Sequence, residues 1–290
     1  MKKSKAYYAF QTLNYLIMTG MMIIMFYPLW YVLVASLTDS VELLRLGGEP
    51  LLLPKGFNLS AYALAFSNKG IARGYMNTLF ILVFGLVISM TLTSIGAYFL
   101  SRRNVYFKKP ISMLIMFTMV FSGGLIPFYM AVNDIGMIGS LWSLIIPTAI
   151  STYNMIILRT GFSSIPDSLE ESAHIDGAGH MTILWKIVLP LSKSTLAVIA
   201  LYYAVGIWNA WFNASLFLQS EIDKWPLQLV LRQILISNDT KSMTGGGDTM
   251  AISVSIQYAV VMIATLPILC VYPFVQKYFV KGVMIGAVKG

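Results

Sequence analysis

Six apolar runs, each about as long as a membrane-spanning helix, dominate this 290-residue sequence. A helix needs roughly 20 residues to cross a hydrocarbon core of about 30 Å, and these runs are continuous, whereas barrel strands alternate apolar and polar residues. The chain has 11% charged residues and a mean hydropathy of +0.74, against roughly 25% charged residues in soluble domains. The sequence therefore predicts an all-α integral membrane protein with six transmembrane helices, near 13–37, 75–100, 111–132, 140–158, 195–217 and 254–275.

The positive charges are concentrated on one side of this predicted topology. If the amino terminus lies inside, thirteen of the 20 Lys and Arg residues fall on inner segments, and eight of the 12 acidic residues fall on outer ones. Lys and Arg near helix ends resist translocation, so the asymmetry predicts that both termini are cytoplasmic. The net charge of +8 is thereby explained by membrane orientation, and we predict no nucleic-acid binding.

One long polar segment, residues 159–194, interrupts the apolar runs on the predicted inner side. Pro166 suits the first position of a helix, and the acidic residues after it favour the positive end of the helix dipole. We expect this helix to end near Ile175, because Gly177 can adopt the positive φ that terminates a helix. A second helix is then predicted to run until Pro190. Loops longer than about 12 to 15 residues are usually functional or disordered, so this helix pair is predicted to contact another protein.

The spacing inside this segment resembles the EAA loop of ATP-binding-cassette (ABC) importer permeases. Glu171 is followed by two small residues, Gly177 comes six residues after the glutamate, and Ile187-Val188-Leu189-Pro190 follows after nine more. Ser172 replaces the usual alanine. The resemblance implies that residues 159–194 form a cytoplasmic coupling loop that docks on the ATP-hydrolysing subunit. The implied coupling residues are Glu171, Ser172, Ala173, Asp176, Gly177, Ile187, Leu189 and Pro190.

The similarity extends over nearly the whole chain. Tyr27-Pro28-Leu29-Trp30 and Ala97-Tyr98-Phe99-Leu100-Ser101-Arg102 resemble segments of the carbohydrate-uptake branch, within it the maltose-type six-helix permeases and, closer still, the polysaccharide and oligosaccharide transporters. This implies a type I ABC importer permease fold, a single transmembrane domain over residues 1–290, and location in a bacterial cell membrane. The expected function is that of a permease subunit in an importer for carbohydrates, with oligosaccharides as the favoured class.

The resemblance also implies a set of partners. They are a second homologous permease that shares the translocation path, two ABC ATPase subunits, and an extracellular or periplasmic solute-binding protein. In the family the EAA glutamate pairs with an arginine of the ATPase groove, and Glu171 occupies the matching position. The alternative is that Glu171 only stabilises the amino end of its own helix. Because Gly-x-x-x-x-Gly-Lys-Ser/Thr is missing, we expect no enzyme activity and no cofactor in this chain, with ATP and Mg²⁺ bound by partner subunits.

Aromatic rings and amides cluster in the outer half of the fifth predicted span. Sugars bind aromatic faces and hydrogen-bonding groups, so this cluster is a candidate substrate path. Asn209 and Asn213 are four residues apart, which predicts one shared helix face. An interfacial aromatic belt is the alternative explanation. The candidate path residues are Tyr203, Trp208, Asn209, Trp211 and Asn213.

Two further segments match family elements. The outer segment Ser237–Asp248 occupies the position of the loop that reaches into the binding protein. Lys281–Gly290 resembles the tail that inserts between the two ATPase subunits, and its glycines favour an extended strand.

Other classes of protein fit the sequence less well. His-Glu-x-x-His and Gly-x-Ser-x-Gly are missing, which argues against an intramembrane hydrolase. Ionisable residues within spans mark ion paths, and the six runs carry almost none. An ABC permease for a non-sugar solute therefore remains the main alternative, ahead of a secondary transporter or channel. His174 and His180 flank Asp176, but no other clustered ligand completes a metal site, so no metal is predicted.

Overall fold

The computed structural model describes residues 4–103, 105–237 and 249–287, and every regular element in these ranges is a helix. The predicted all-α class is therefore confirmed for this part of the chain. The chain divides into two units, Met1–Ile71 with Leu231–Pro267, and Ala72–Val230 with Ile268–Gly290. The residues of the predicted coupling loop and of the candidate substrate path belong to the second unit.

The helices are numbered in chain order. The first four are α1 (Lys5–Ser36), α2 (Ser40–Leu46), α3 (Ser60–Ser67) and α4 (Lys69–Ser101). Next come α5 (Lys108–Val120), α6 (Leu125–Asp134), a 3₁₀ turn (Leu141–Leu144) and α7 (Thr152–Ser163). The others are α8 (Asp167–Ile175), α9 (His180–Ile183), α10 (Leu189–Leu191), α11 (Lys193–Asn209), α12 (Phe212–Phe217), α13 (Leu227–Ser237) and α14 (Thr249–Ala287).

Three helical segments are long and apolar enough to cross a membrane on their own. They are Tyr7–Ser36, Lys69–Ser101 and Ile252–Pro273, and they correspond to the first, second and sixth predicted runs. Two bent pairs of helices also qualify when each pair is taken as one span. The described residues therefore contain three to five candidate spans.

The third predicted run is bent. α5 and α6 meet at 115°, and Gly124 at the start of α6 has φ +86°. This left-handed conformation is accessible to glycine, and it interrupts the helix. The prediction of one continuous helix over 111–132 is wrong, because hydropathy reports preference for lipid and carries no information about backbone direction.

The fourth and fifth predicted runs are also divided. Pro147, which has no backbone N–H, lies between the 3₁₀ turn and α7, and Ser151 caps the start of α7 through its side chain. Ala210 is extended, with φ −73° and ψ 119°, and it separates α11 from α12. Continuous helices over 140–158 and 195–217 are therefore wrong predictions as well.

The predicted coupling segment folds nearly as expected. α8 ends at Ile175, and Gly177 follows with φ +83°. Pro166 is extended, with ψ 132°, so it is the N-cap of α8 rather than its first helical residue. We use the name knuckle for residues 166–191, which comprise α8, the turn at Gly177, α9, a π turn (Leu184–Val188) and α10.

The second half of the knuckle continues past Pro190 to Leu191, where the sequence predicted a stop. A proline inside an α-helix clashes with the carbonyl four residues earlier and lacks the N–H that would bond it. Here the π turn comes just before the proline, and the Leu189 N–H donates to the carbonyl of Leu184, five residues back. The wider turn makes room for the proline ring. The axis then bends by 88° into α11.

A buried core holds one side of the knuckle against α4, α7 and α11. Ile183, Leu184 and Val188 of the knuckle have no exposed surface. The other fully buried members of this cluster are Ala97, Leu158, Phe162 and Ile199. Burial of a Leu or Ile side chain contributes about 1.5–3 kcal/mol to stability. The side of the knuckle that faces this core, which we call its inner side, is therefore firmly fixed, and the opposite side is its outer side.

The first unit has a small core of its own. Its buried apolar residues are Val34, Ala35, Leu43 and Leu51. Trp30 Nε1 closes this core by donating to the carbonyl of Leu52 over 2.9 Å. The indole thus ties the end of α1 to the segment after α2.

Two predictions concern segments near the end of the chain. Residues 238–248 of the predicted receptor-facing loop lie outside the described residues. α14 continues to Ala287, so the expectation of an extended strand after Lys281 is wrong up to that residue. A helix interior tolerates a glycine at a cost of about 1 kcal/mol, and the long apolar helix absorbs that cost at Gly282 and Gly286.

Candidate functional site

The outer side of the knuckle combines exposed polar and exposed apolar residues. Ile175 is 87% exposed, and Met181 and Trp185 are exposed too. A cluster of exposed large apolar side chains with polar neighbours is typical of a surface that contacts another protein. The predicted coupling residues on this exposed side are Glu171, Ser172, Asp176, Gly177 and Pro190.

The turn at Gly177 is fixed by backbone hydrogen bonds. The Ala178 N–H donates to the Ala173 carbonyl over 2.8 Å, and the Gly177 N–H donates to the His174 carbonyl over 3.0 Å. This pair of bonds defines a Schellman motif, which places a residue of positive φ just after the helix. A Cβ on Gly177 would meet no atom within 4 Å, so the backbone conformation selects glycine here and the available space does not. Asp176 closes the turn as the C-cap residue of α8.

Three of the predicted coupling residues lie on the inner side of the knuckle. Ala173, Ile187 and Leu189 are half-buried and pack against the core cluster. The eight predicted residues are therefore brought together in one element but on two of its sides.

A buried ion pair joins the knuckle to the end of α4. The Arg102 guanidinium contacts the Glu170 carboxylate, and their side chains are only 13% and 10% exposed. Arg102 also donates to the Phe162 carbonyl over 3.2 Å and lies 5.0 Å from the centroid of the Tyr98 ring. Burial lowers the pKa of Arg102, while the nearby Tyr98 and Asp167 oppose that shift. Sequence reasoning missed this pair.

A second ion pair links the same two elements at the surface. Arg103 Nε lies 3.1 Å from Asp167 Oδ2, and the side chains are 84% and 47% exposed. Asp167 and Glu170 are three residues apart, so both face the arginines from one side of α8. That spacing, beside an Arg-Arg doublet at the end of an apolar run, is the sequence signal that could have revealed both pairs.

Both pairs border a cavity of about 630 Å³ between the end of α4 and the knuckle. Glu171 lines this cavity together with His174 and His180. Within the described part of the chain, the Glu171 carboxylate has no ion-pair partner, unlike the neighbouring Glu170. The cavity thus places one unpaired carboxylate beside the exposed side of the knuckle.

The two histidines contact each other. Their rings are 4.9 Å apart at the centroids, and His174 Nδ1 lies 3.0 Å from the Ala178 carbonyl. Among the described residues, no group of three or more His, Cys, Asp or Glu side chains is arranged to hold a metal ion.

A second cavity, of about 510 Å³, lies among α4, α7, α11 and α12. Two of the predicted path residues, Tyr203 and Asn213, line it. The Tyr203 hydroxyl is 2.6 Å from Thr93 Oγ1 and accepts from the Ser151 N–H over 2.9 Å. The polar lining residues that sequence reasoning missed are Thr78, Thr148, Ser151, Tyr153 and Asn154, to which Tyr202 adds an aromatic hydroxyl.

The other three predicted path residues, Trp208, Asn209 and Trp211, are not among the residues that line this cavity. Trp208 is 7% exposed, and its ring contacts the Tyr75 ring edge-on with the centroids 6.2 Å apart. Asn209 Nδ2 donates to the Val205 carbonyl over 3.0 Å. The expectation that Asn209 and Asn213 share a helix face is wrong, because the break at Ala210 separates them.

Comparison with known proteins places this arrangement in a family. Residues 94–285 match the model described as "Binding-protein-dependent transport system inner membrane component", and the chain belongs to this family. The matched residues include the knuckle and most of the second unit. The protein is thus a membrane component of a binding-protein-dependent importer.

Relatives of known name agree with the family. Protein LplC of Bacillus subtilis is 42% identical over 294 residues, covering 100% of this chain and 98% of the relative. The polygalacturonan/rhamnogalacturonan transport system permease protein YtcP of the same organism is 43% identical over 268 residues, covering 91% and 92%. The melibiose/raffinose/stachyose import permease protein MelC of B. subtilis is 30% identical over 244 residues, covering 82% and 84%.

A solved structure supports the fold. It is the crystal structure of a bacterial ABC transporter involved in the import of the acidic polysaccharide alginate. The likeness has a TM-score of 0.89 at 31% identity, and it covers 96% of this chain and 99% of that chain. The fold is therefore that of a type I ABC importer permease.

Proposed function

We propose that this chain is one permease subunit of an ABC importer for carbohydrates, with oligosaccharides as the favoured class. Two of the relatives at 30% identity or more have names that specify saccharide substrates, YtcP and MelC. The alginate importer adds a third saccharide case with the same fold. The cavity of about 510 Å³ supports the assignment, because it combines aromatic rings with amide and hydroxyl groups.

We further propose that the subunit crosses the bacterial cell membrane six times with both termini in the cytoplasm. The clustering of Lys and Arg on the predicted inner segments supports this orientation. Residues 1–290 then form a single permease domain. A second, homologous permease covers the exposed apolar helix faces and completes the translocation path between the two subunits.

The observation that carries the coupling proposal is the construction of the knuckle. Its inner side is fixed by a buried core and by the Arg102–Glu170 pair, whereas its outer side leaves Ile175 and the unpaired Glu171 exposed. A rigid element with an exposed, mixed surface is suited to receive force from a partner. We propose that this outer side docks in a groove of an ABC ATPase subunit, with Glu171 paired to a cation there. The coupling loop so defined spans residues 159–194.

Nucleotide energy is supplied by the partners in this proposal. The chain carries no P-loop motif, so ATP and Mg²⁺ bind to two separate ATPase subunits and this chain performs no catalysis. Closure of the ATPase pair moves the knuckle and favours one orientation of the path over the other. An extracellular or periplasmic binding protein delivers the sugar.

For the substrate path, we propose that Tyr203 and Asn213 contact or border the sugar in the cavity. Trp208, Asn209 and Trp211 lie at the break between α11 and α12 and are proposed to shape the wall from behind. Asn154, which lines the cavity from α7 and is 6% exposed, joins them as a candidate hydrogen-bonding group.

The coupling proposal is tested in proteoliposomes that contain both permeases, the ATPase subunits and the binding protein. Glu171→Ala removes a charge-assisted contact worth about 1.5–3 kcal/mol, so stimulated ATP hydrolysis and sugar uptake should fall about 10- to 150-fold. Glu49→Ala, which removes an exposed carboxylate in the first unit, is the matched control and should retain full activity. Full activity of Glu171→Ala would refute the docking assignment.

The same preparation separates the alternative functions. Uptake that continues without ATPase subunits would indicate a secondary transporter or channel. ATP-dependent uptake of a non-sugar solute, with no response to oligosaccharides, would retain the permease role and reject the substrate class.

A further inference from the structure

A groove lined by positive charges lies at the start of α5. It has a volume of about 730 Å³, and its cationic lining residues are Arg103, Lys108, Lys109 and Arg159. No acidic residue is among the residues that line it in the described part of the chain. Four cations around one groove create a strong local positive potential, which favours an anionic ligand.

Little of this charge is neutralised by the protein. Arg103 pairs with Asp167 at 3.1 Å, but Lys108 Nζ donates only to a neutral acceptor, the carbonyl of Arg102, over 2.5 Å. Within the described ranges, Lys109 and Arg159 have no ion-pair partner. The groove therefore presents at least two positive charges that have no ion-pair partner among the residues that the structure describes.

The groove continues into an apolar surface. Met116 also lines the groove, about two helical turns after the two lysines at the start of α5. On the same helix, Met113, Leu114 and Val120 are 73%, 68% and 78% exposed. A ligand with an anionic head and an apolar tail would contact both the cationic groove and the apolar surface of α5, whereas a free anion would contact only the groove.

The turn before α5 adds two exposed aromatic rings. Tyr106 is 91% exposed, and Phe107, which lines the groove, is 77% exposed. Phe107 has φ +57°, the only positive φ of a non-glycine residue in the described ranges. This conformation is unfavourable for an L-residue and persists where the surroundings impose it. Exposed aromatic rings beside cations are characteristic of the level of lipid headgroups.

We propose that this groove binds the headgroup of an anionic phospholipid, with its phosphate among Lys108, Lys109 and Arg159 and an acyl chain along Met116. Basic pockets at helix ends recognise anionic headgroups by this combination of charge and apolar contact. The inference depends on the membrane location of the chain and not on its substrate. The lipid would hold the short turn between α4 and α5 next to the knuckle, since Arg103 borders both.

The test measures lipid binding to the full-length chain in detergent by native mass spectrometry. Dioleoyl phosphatidylglycerol is titrated against dioleoyl phosphatidylcholine, which has the same acyl chains but no net charge. The wild-type chain should bind phosphatidylglycerol preferentially. Each cation near an anionic headgroup contributes about five-fold in affinity, so Lys109→Gln with Arg159→Gln should weaken phosphatidylglycerol binding about 25-fold.

The matched control removes the same charge elsewhere. Lys55→Gln with Lys69→Gln alters two exposed lysines and should leave phosphatidylglycerol binding unchanged. The conservative pair Lys109→Arg with Arg159→Lys should keep the preference and shows that the site tolerates substitution. Equal binding of the two lipids, or equal losses in the test and control variants, would overturn the proposal.

Two further outcomes identify other ligands and also overturn it. Displacement of phosphatidylglycerol by millimolar inorganic phosphate would indicate a free-anion site. Loss of ATPase-subunit binding in the Lys109→Gln, Arg159→Gln variant, with lipid binding intact, would indicate a protein contact. Because the lipid readout needs neither sugar nor ATP, a failed substrate assignment leaves this result unaffected.

Discussion

The two ion pairs between the end of α4 and the knuckle provide a sharp test of how the knuckle is held. Glu170→Ala removes the partner of Arg102, whose side chain is 13% exposed. Arginine stays protonated at neutral pH, so the variant contains a buried charge with no counter-charge. Breaking a buried pair from one side costs about 3–5 kcal/mol.

The surface pair supplies the comparison within the same two elements. Arg103→Ala breaks the contact with Asp167, and the side chains of Arg103 and Asp167 are 84% and 47% exposed. Solvent screens such a pair, and its removal should cost no more than about 1 kcal/mol. Breaking the two arginine–carboxylate pairs is thus predicted to lower the free energy of unfolding by amounts that differ several-fold, because one pair is buried and the other is exposed.

A double variant separates charge from packing. Arg102→Met with Glu170→Leu replaces both charges by apolar groups of similar length, and a methionine can keep contact with the Tyr98 ring. Apolar replacement of a buried pair is often neutral, so this variant should recover most of the stability lost in Glu170→Ala.

The assay is unfolding of the purified chain in detergent, followed by circular dichroism under an SDS titration and on heating. At about 2–4 °C per kcal/mol, Glu170→Ala should lower the melting midpoint by about 6–20 °C and Arg103→Ala by less than about 4 °C. Equal shifts for the two single variants would refute the reasoning, as would a double variant no more stable than Glu170→Ala.

Two more predictions concern glycine packing and pH. Gly161→Ala places a methyl group 2.9 Å from the Thr195 side chain and should lower the free energy of unfolding by about 1–3 kcal/mol. Gly206→Ala, whose new methyl group meets no atom within 4 Å, should raise it by about 0.5–1 kcal/mol. Equal unfolding midpoints for the two variants would contradict this prediction. The hydrogen bond from Asn58 lowers the pKa of Asp39. Ionised Asp39 therefore stabilises the fold at pH values above its unfolded-state pKa, and this stabilisation is lost as the pH falls through its lower folded-state pKa. In a series of unfolding midpoints measured at different pH, Asp39→Asn should lack this contribution to the acid dependence.

Local signals explain what could be predicted from the sequence. The acidic start of α8 and the glycine at position 177 act through their immediate neighbours, so α8 and its end were predicted to within a residue. The break after Asn209 was missed because no proline or glycine marks it. Hydropathy continues through such breaks, since it depends on composition and not on φ and ψ.

The site residues that were missed are those that depend on the folded chain. Arg102 and Glu170 are 68 positions apart, and only the packing of α4 against the knuckle brings them together. The lining of the 510 Å³ cavity likewise comes from four helices. A single sequence identifies the polar residues but not which of them meet across helices. The family resemblance indicated the knuckle as the coupling element, yet gave no information about what holds it.

The second half of the knuckle, His180–Leu191, meets α11 at 88°, so a rotation about the first of these segments displaces the far end of the second. α11 has 17 residues, a lever arm of about 25 Å at 1.5 Å per residue. A rotation of about 10° about the axis of α9 and α10 would move the far end of α11 by about 4 Å. Tyr203, Gly206 and Ile207 near that end of α11 line the cavity of about 510 Å³, so a small rotation of the knuckle would shift one wall of this cavity by about 4 Å.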